Sequence, residues 1–255
     1  SPDTKCYIQT DMFDEDSLKE ILSSTAEMTG CKFSYTYEKM PDVNWNATWE
    51  QEGFTPIIVD NEVSIIPEGS SVENPTRFEI SLAANMAFGT GHHHTTYMMM
   101  QTMLDIESSI KDAHVTDLGC GTAVLAILAS KMGASHVDAI DIDAVAARSA
   151  EDNVKRNDCL GNTTVKCGDA SLLCPDGTDI LLANIHRNII IGDIRRYSDC
   201  VKEGGYLLVS GFYDTDCPDI IDAAAEAGFM PADTDENKWC RYRENWACLK
   251  FRRQA

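Results

Sequence analysis

Residues 114–143, HVTDLGCGTAVLAILASKMGASHVDAIDID, decide the fold of this chain. Residues 114–117 and 136–141 are short apolar runs of strand type, and residues 124–132 between them read as a helix. Asp117-Leu118-Gly119-Cys120-Gly121-Thr122-Ala123 spans the passage from the first strand into that helix. Glycines there let the backbone turn tightly and let a ligand approach the main chain. The helix amino terminus that follows offers free N–H groups. The next strand ends on Asp141, twenty residues after Gly121. A carboxylate at that place can accept both hydroxyls of a ribose.

The alternation continues toward the carboxyl terminus. Residues 164–167, 179–183 and 206–210 are further apolar runs, and residues 144–157, 189–201 and 218–227 read as helices. Strands apolar on both faces, in repeated β-α-β order, predict an α/β, doubly wound, mostly parallel sheet covered on both sides. Ligands of such sheets bind beyond the carboxyl ends of the strands.

Two features select the ligand. A dinucleotide-binding dehydrogenase shares the outline, but its fingerprint G-x-G-x-x-G seats a pyrophosphate on the helix amino terminus. Here Val124 stands where the third glycine belongs. Asp117 lies two residues before the first glycine. A carboxylate there repels a pyrophosphate and suits a ligand carrying an ammonium and a sulfonium. The ligand is read as S-adenosyl-L-methionine, and the chain as a methyltransferase.

Upstream, residues 5–9 (KCYIQ) and 32–37 alternate as strands, and a helix over 14–28 places Leu18, Ile21 and Leu22 on one face. One strand–helix–strand unit buries its apolar faces poorly. Residues 1–40 are therefore expected to be a small, incomplete amino-terminal α+β domain. Trp45 and Trp49, one helical turn apart, mark residues 41–53 as a linker helix, leaving 54–255 as the catalytic domain. Within it, residues 54–60 and 63–67 flank Asp60-Asn61-Glu62 as a hairpin, and 68–75 form an exposed loop.

Bulk composition excludes several classes. The net charge is −20, from 21 Lys+Arg against 41 Asp+Glu. Such a surface repels phosphate backbones and favours basic partners, so no direct contact with nucleic acid is expected. No run approaches the roughly 18–20 apolar residues that span a bilayer, so no membrane partner is expected. The amino terminus, SPDTKCYIQTD, carries neither the basic region nor the apolar core of a secretory signal. The ten cysteines form no C-x-x-C pair and read as reduced thiols, which places the chain in the cytoplasm. His92-His93-His94 cannot all face one ion from regular structure, so no metal is expected. His186 reads as an exposed loop histidine in preference to a catalytic base. A monomer is expected.

Met86-Ala87-Phe88-Gly89-Thr90-Gly91-His92, followed by His94-Thr95-Thr96, resembles the AFGTGxHxTT signature of the PrmA family, the methyltransferases of large-subunit ribosomal protein L-eleven. The resemblance runs through DLGCGTAVLAILASKMGA, DAIDIDAVAARSAEDNVKRN, LLANIHRN and GGYLLVSG, over roughly residues 45–253. It implies a class I methyltransferase with a seven-stranded Rossmann-like sheet and a ferredoxin-like amino-terminal domain. It further implies methylation of lysine ε-amino groups and the α-amino terminus of a basic ribosomal protein. By the same resemblance the cofactor contacts are Phe88, Thr90, Thr96, Gly119, Gly121, Asp141, Asp169 and Asn184, with Asp141 on the ribose and Asp169 at the adenine. Asn184 lies beside the methyl group, where its amide oxygen can hold the amine, and is the catalytic residue. The sequence departs from the family pattern at Ala123, where a third glycine is common, and at Ile185-His186-Arg187-Asn188. A methyltransferase of another protein or a small molecule, and a cofactor-binding module without turnover, are the alternative readings.

Overall fold

The computed structural model describes residues 14–30, 34–36, 54–83, 94–233 and 238–254. The chain divides into two compact units, Ser1–Trp45 and Asn46–Ala255. In the first, helix α1 (Glu15–Thr29) starts where the Asp14 carboxylate accepts the N–H groups of Asp16 and Ser17, at 3.2 and 3.3 Å. It ends at Gly30, whose φ of 70° is the left-handed conformation that closes a helix. Residues 34–36 carry no strand, which corrects the expectation for that part of 32–37. The strand at 5–9, the rest of 32–37 and the linker helix at 41–53 lie outside the described residues.

The second unit opens with a small sheet of β1 (Ile57–Val59), β2 (Val63–Pro67) and β3 (Phe78–Leu82). Asp60 and Asn61, with φ of 48° and 57°, turn β1 back on β2 as the hairpin reading required. β3 then joins β2 in parallel, a pairing the sequence reading missed because it stopped at the loop before it.

The main sheet comprises β4 (His114–Leu118), β5 (His136–Asp141), β6 (Thr163–Cys167), β7 (Thr178–Asn184), β8 (Val201–Tyr213), β9 (Phe229–Pro231), β10 (Cys240–Arg243) and β11 (Trp246–Arg253). Its order is β10-β11-β8-β7-β4-β5-β6, with β9 also on β11. β6, β5, β4, β7 and β8 are parallel neighbours, and β11 is antiparallel to β8. β9 pairs with Phe251–Arg253 and β10 with Trp246–Leu249, so the two strands share one edge position. The expected seven positions are present, the outermost divided in two.

Period-two alternation sends successive residues of each central strand to opposite cores. On β8, Tyr206 and Leu208 face one core while Leu207 and Val209 face the other. The first core holds the small sheet with α2 (His94–Asp105), α3 (Glu107–Ile110) and α4 (Val124–Lys131). The second holds α6 (Arg187–Cys200) and α7 (Cys217–Glu226). Helix α5 (Ala144–Arg156) packs on β5 and β6. Ile180, Leu181, Leu182 and Ala183 on β7 are buried on both faces, which is why that strand reads as an unbroken apolar run.

Two asparagines tie the small sheet to the main one. Asn157 accepts the Ser81 N–H at 2.9 Å and donates to the Ser81 carbonyl at 2.7 Å, as a neighbouring strand would. Asn153, fully buried on α5, accepts the Ala83 N–H at 3.2 Å and donates to the Thr122 carbonyl at 3.1 Å. The chain that leaves β3 is thereby anchored to the glycine turn through one side chain.

Candidate functional site

At the carboxyl end of β4 the chain turns through Gly119, Gly121 and Ala123, with φ of 73°, 54° and 63°. The first two positions favour glycine because a side chain is strained at positive φ. Ala123 adopts the same conformation at a cost of about 1 kcal/mol, and that is the position where the sequence departs from a third glycine. The Gly119 and Cys120 N–H groups both donate to the Ile140 carbonyl, at 2.8 and 3.0 Å, which lays the turn across the end of β5. A methyl group on Gly121 would meet no atom within 4 Å, so the space at that glycine is open.

Two acids flank the turn. Asp141 accepts the Gly121 N–H at 2.8 Å with one oxygen and the Asp143 N–H at 2.9 Å with the other. Asp117 is 1% exposed and accepts the Ala126 N–H at 3.1 Å. Burial pushes the Asp117 carboxyl up to about 7; the Ala126 hydrogen bond opposes this and the Asp141 charge adds to it. Burial likewise pushes the Cys120 thiol up.

Asn184 ends β7, and its Nδ2 donates to Thr96 Oγ1 at 3.2 Å. Thr96 is buried on α2, so two residues 88 apart in the chain meet at the carboxyl edge of the sheet. Ile185 next to Asn184 leans on the glycine turn, since a methyl group on Gly119 would overlap its Cγ2. Gly119, Asn184 and Thr96 therefore form one neighbourhood. Phe88, Thr90, His92 and His93 lie outside the described residues.

His186, Arg187 and His94 have structural partners. His186 is exposed and caps α6, its Nδ1 accepting the Asn188 N–H at 3.4 Å, in line with the reading of it as a loop residue. Arg187 bonds to Asp216, at 3.4 Å, and to Asp219, tying α6 to α7. His94 Nδ1 accepts from Arg243 Nε at 3.0 Å, and the Arg243 guanidinium lies 4.2 Å from the centre of the Tyr97 ring.

Beyond Asp141 the surface is apolar: Ile142 and Val145 are 74% and 64% exposed. Asp169 follows β6 and is exposed; hydrogen bonds from the Ser171 hydroxyl and N–H hold its carboxyl below the usual range. Ile142, Val145 and Asn153 were missed in the sequence. An apolar residue directly after a strand-end acid was the available signal for Ile142; nothing local marks Asn153.

A family model described as Ribosomal protein L11 methyltransferase (PrmA) matches residues 3–254. A ribosomal protein L11 methyltransferase of Phocaeicola vulgatus is 38% identical over 248 residues, covering 97% of this chain and 85% of the relative. One of Porphyromonas gingivalis is 40% identical over 226 residues, covering 88% of this chain and 74% of the relative. Among solved structures, a ribosomal protein L11 methylase of Lactobacillus delbrueckii subsp. bulgaricus superposes with a TM-score of 0.67 at 24% identity, over 80% of this chain and 100% of that one. At that identity the likeness bears on the fold alone.

Proposed function

The chain belongs to the ribosomal protein L11 methyltransferase family, and from that premise we propose that it methylates ribosomal protein L11 at lysine ε-amino groups and the α-amino terminus. The observation that carries this reading is the Asn184–Thr96 hydrogen bond beside the glycine turn. The donor is S-adenosylmethionine, which supplies an already activated methyl group. The fit is supported by the open space at Gly121 and by the buried Asp117 carboxyl, which suits a cationic ligand.

Each side chain has a task in this reading. Asp141 accepts the ribose hydroxyls with lone pairs left over from its two backbone hydrogen bonds. Ile142 and Val145 offer an apolar face to the adenine, and Asp169 an acceptor for its amino group. Phe88 and Thr90 take the cofactor contacts that the family signature assigns them. Thr96 holds the Asn184 Nδ2, which leaves the amide oxygen to receive an N–H of the substrate amine. A lysine amine, with a pKa of about 10.4, must first lose its proton. Apolar walls and a nearby positive charge both disfavour the ammonium form, so position replaces a strong base. The net charge of −20 suits a basic ribosomal substrate in the cytoplasm.

Transfer of labelled methyl groups to purified L11, to other ribosomal proteins and to RNA tests the assignment. Label in L11, transferred about 10–100-fold more slowly by Asn184→Ala, is expected. Label only in other acceptors overturns the substrate, and donor binding without transfer to any acceptor overturns catalysis.

A further inference from the structure

A separate cluster of metal-seeking side chains stands at the amino ends of the central strands, away from the glycine turn. His114 opens β4 and His136 opens β5, and the two are direct partners in the parallel ladder. Their rings meet edge to face with centroids 5.0 Å apart. Asp138, two residues along β5, returns to the same face of the sheet. Its Oδ2 lies 3.2 Å from His114 Nε2, and its Oδ1 lies 3.3 Å from His136 Nε2. The three ligand atoms fall within 4.8 Å of one another. His114 is clamped through its backbone: its N–H donates to Asp179 at 2.8 Å and its carbonyl accepts the Thr178 hydroxyl at 2.9 Å. The Asp138 carboxylate is 15% exposed and the His136 ring 42%, so the cluster is sheltered yet open on one side.

We propose that His114, His136 and Asp138 bind a late first-row divalent cation of the zinc class. Two imidazoles and one carboxylate suit such ions, whereas magnesium and calcium prefer sets made wholly of oxygen. Bonds of about 2.0–2.1 Å in tetrahedral array place neighbouring ligand atoms roughly 3.3–3.4 Å apart. Each His–Asp separation, 3.2 Å to Oδ2 and 3.3 Å to Oδ1, is close to that spacing, and the whole set lies within 4.8 Å, so a modest inward shift of the ligand atoms closes the site. Asp138 straddles the rings, one oxygen within hydrogen-bond reach of each Nε2, and an ion would take the place of the bridging hydrogen in each pair. Water completes the coordination on the His136 side.

Lys166 opposes the ion. Its Nζ lies 2.8 Å from Asp138 Oδ1, but the side chain is 40% exposed and can swing into solvent. The ion's role is to fasten the starts of β4 and β5, because the cluster sits at the end of the sheet opposite the Asn184 neighbourhood. An ion that binds the folded chain preferentially raises its stability.

Cobalt(II) titration of the whole chain, read by visible absorption and equilibrium dialysis with zinc(II) as competitor, tests the proposal. One ion per chain is expected, without the near-ultraviolet band of thiolate ligation that the cysteines would produce. His136→Ala and Asp138→Asn should each weaken binding at least about tenfold, while Lys166→Met should tighten it. Circular dichroism confirms that each variant is folded. Binding that survives His136→Ala and Asp138→Asn unchanged, binding accompanied by the thiolate band, or no binding by the parent and Lys166→Met alike would overturn the assignment.

Discussion

Asp117→Asn separates the cost of burying an acid from its use. In the free chain burial lifts this carboxyl from 3.8 to about 7. A folded-state pKa raised in this way contributes stability that is fully present below about 3.8 and lost as pH rises through about 7. At about 1.36 kcal/mol per unit, the whole loss is roughly 4 kcal/mol, of which roughly 2–3 kcal/mol falls between pH 5 and pH 8. Asparagine keeps an acceptor for the Ala126 N–H and carries no charge. Its buried NH2 costs about 1–3 kcal/mol, but that cost is the same at every pH. Urea denaturation of parent and variant from pH 5 to pH 8 should therefore show their difference in stability moving by roughly 2–3 kcal/mol in favour of the variant. A difference that stays constant across the window refutes the burial argument.

The donor reverses the sign. A cationic ligand stabilises the ionised carboxylate, so binding near pH 7 should release a proton and weaken as pH falls. At pH 8 the variant should bind S-adenosylmethionine about 10–100-fold less tightly, the equivalent of a charged hydrogen bond of roughly 1.5–3 kcal/mol. Calorimetry in two buffers of different ionisation enthalpy measures the proton. Parent affinity that is flat from pH 6 to pH 8 would falsify the role given to Asp117, even if the stability result held.

Other substitutions address the rest of the site. Asn184→Ala should lower kcat about 10–100-fold and change donor affinity far less, as labelled transfer and calorimetry would measure, because in the proposed role the amide oxygen serves the amine. Asn153→Ala should cost about 2–4 kcal/mol by urea denaturation, since the Ala83 N–H and the Thr122 carbonyl each lose a hydrogen bond to a buried side chain, and donor affinity should fall with it. Gly119→Ala and Gly211→Ala should each destabilise by about 2–4 kcal/mol, from positive φ and overlap with Ile185. Ile185→Ala should recover part of the loss at Gly119, where the overlap is with a side chain, and none at Gly211, where it is with the backbone.

The parallel part of the fold was legible because its signals are local. β4, β5 and β7 are short strands with buried apolar residues, and α5 has its cap at Asp143 and basic residues in its last turn. The edge strand β6, Thr163-Thr164-Val165-Lys166-Cys167, is mostly polar and only its first residue is buried. The antiparallel edge was not legible in the same way. β9 and β10 are three and four residues long and owe their existence to pairing with β11. β8 was expected over 206–210 but runs from Val201 to Tyr213. Polar Lys202 and Glu203 with paired glycines mask its start, where Val201 pairs with Thr178. Helix α2 carries Met98, Met99, Met100 and Met103, all buried, a run with too little periodicity to stand out as amphipathic.

The same distinction governs the sites. Gly119, Gly121 and Asp141 share one β-α-β unit, so their spacing alone predicts that they converge, and the Gly121–Asp141 hydrogen bond is what that spacing implies. Thr96 and Asn184 converge only because β7 lies next to β4 and α2 packs across the sheet. Nothing within either segment encodes that contact; the family resemblance assigned each residue a place at the cofactor but not the bond between them. His114 and His136 are the sharper case, since no signature covers them. Each opens its strand, and a shift of one residue in the β4–β5 register would turn one ring to the other face. Register follows from which residues must be buried: Val115 and Val137 on one face, Leu118 and Ile140 on the other. A metal-ligand set of this kind is therefore a consequence of core packing, and sequence spacing can reveal it only after the order of the strands is known.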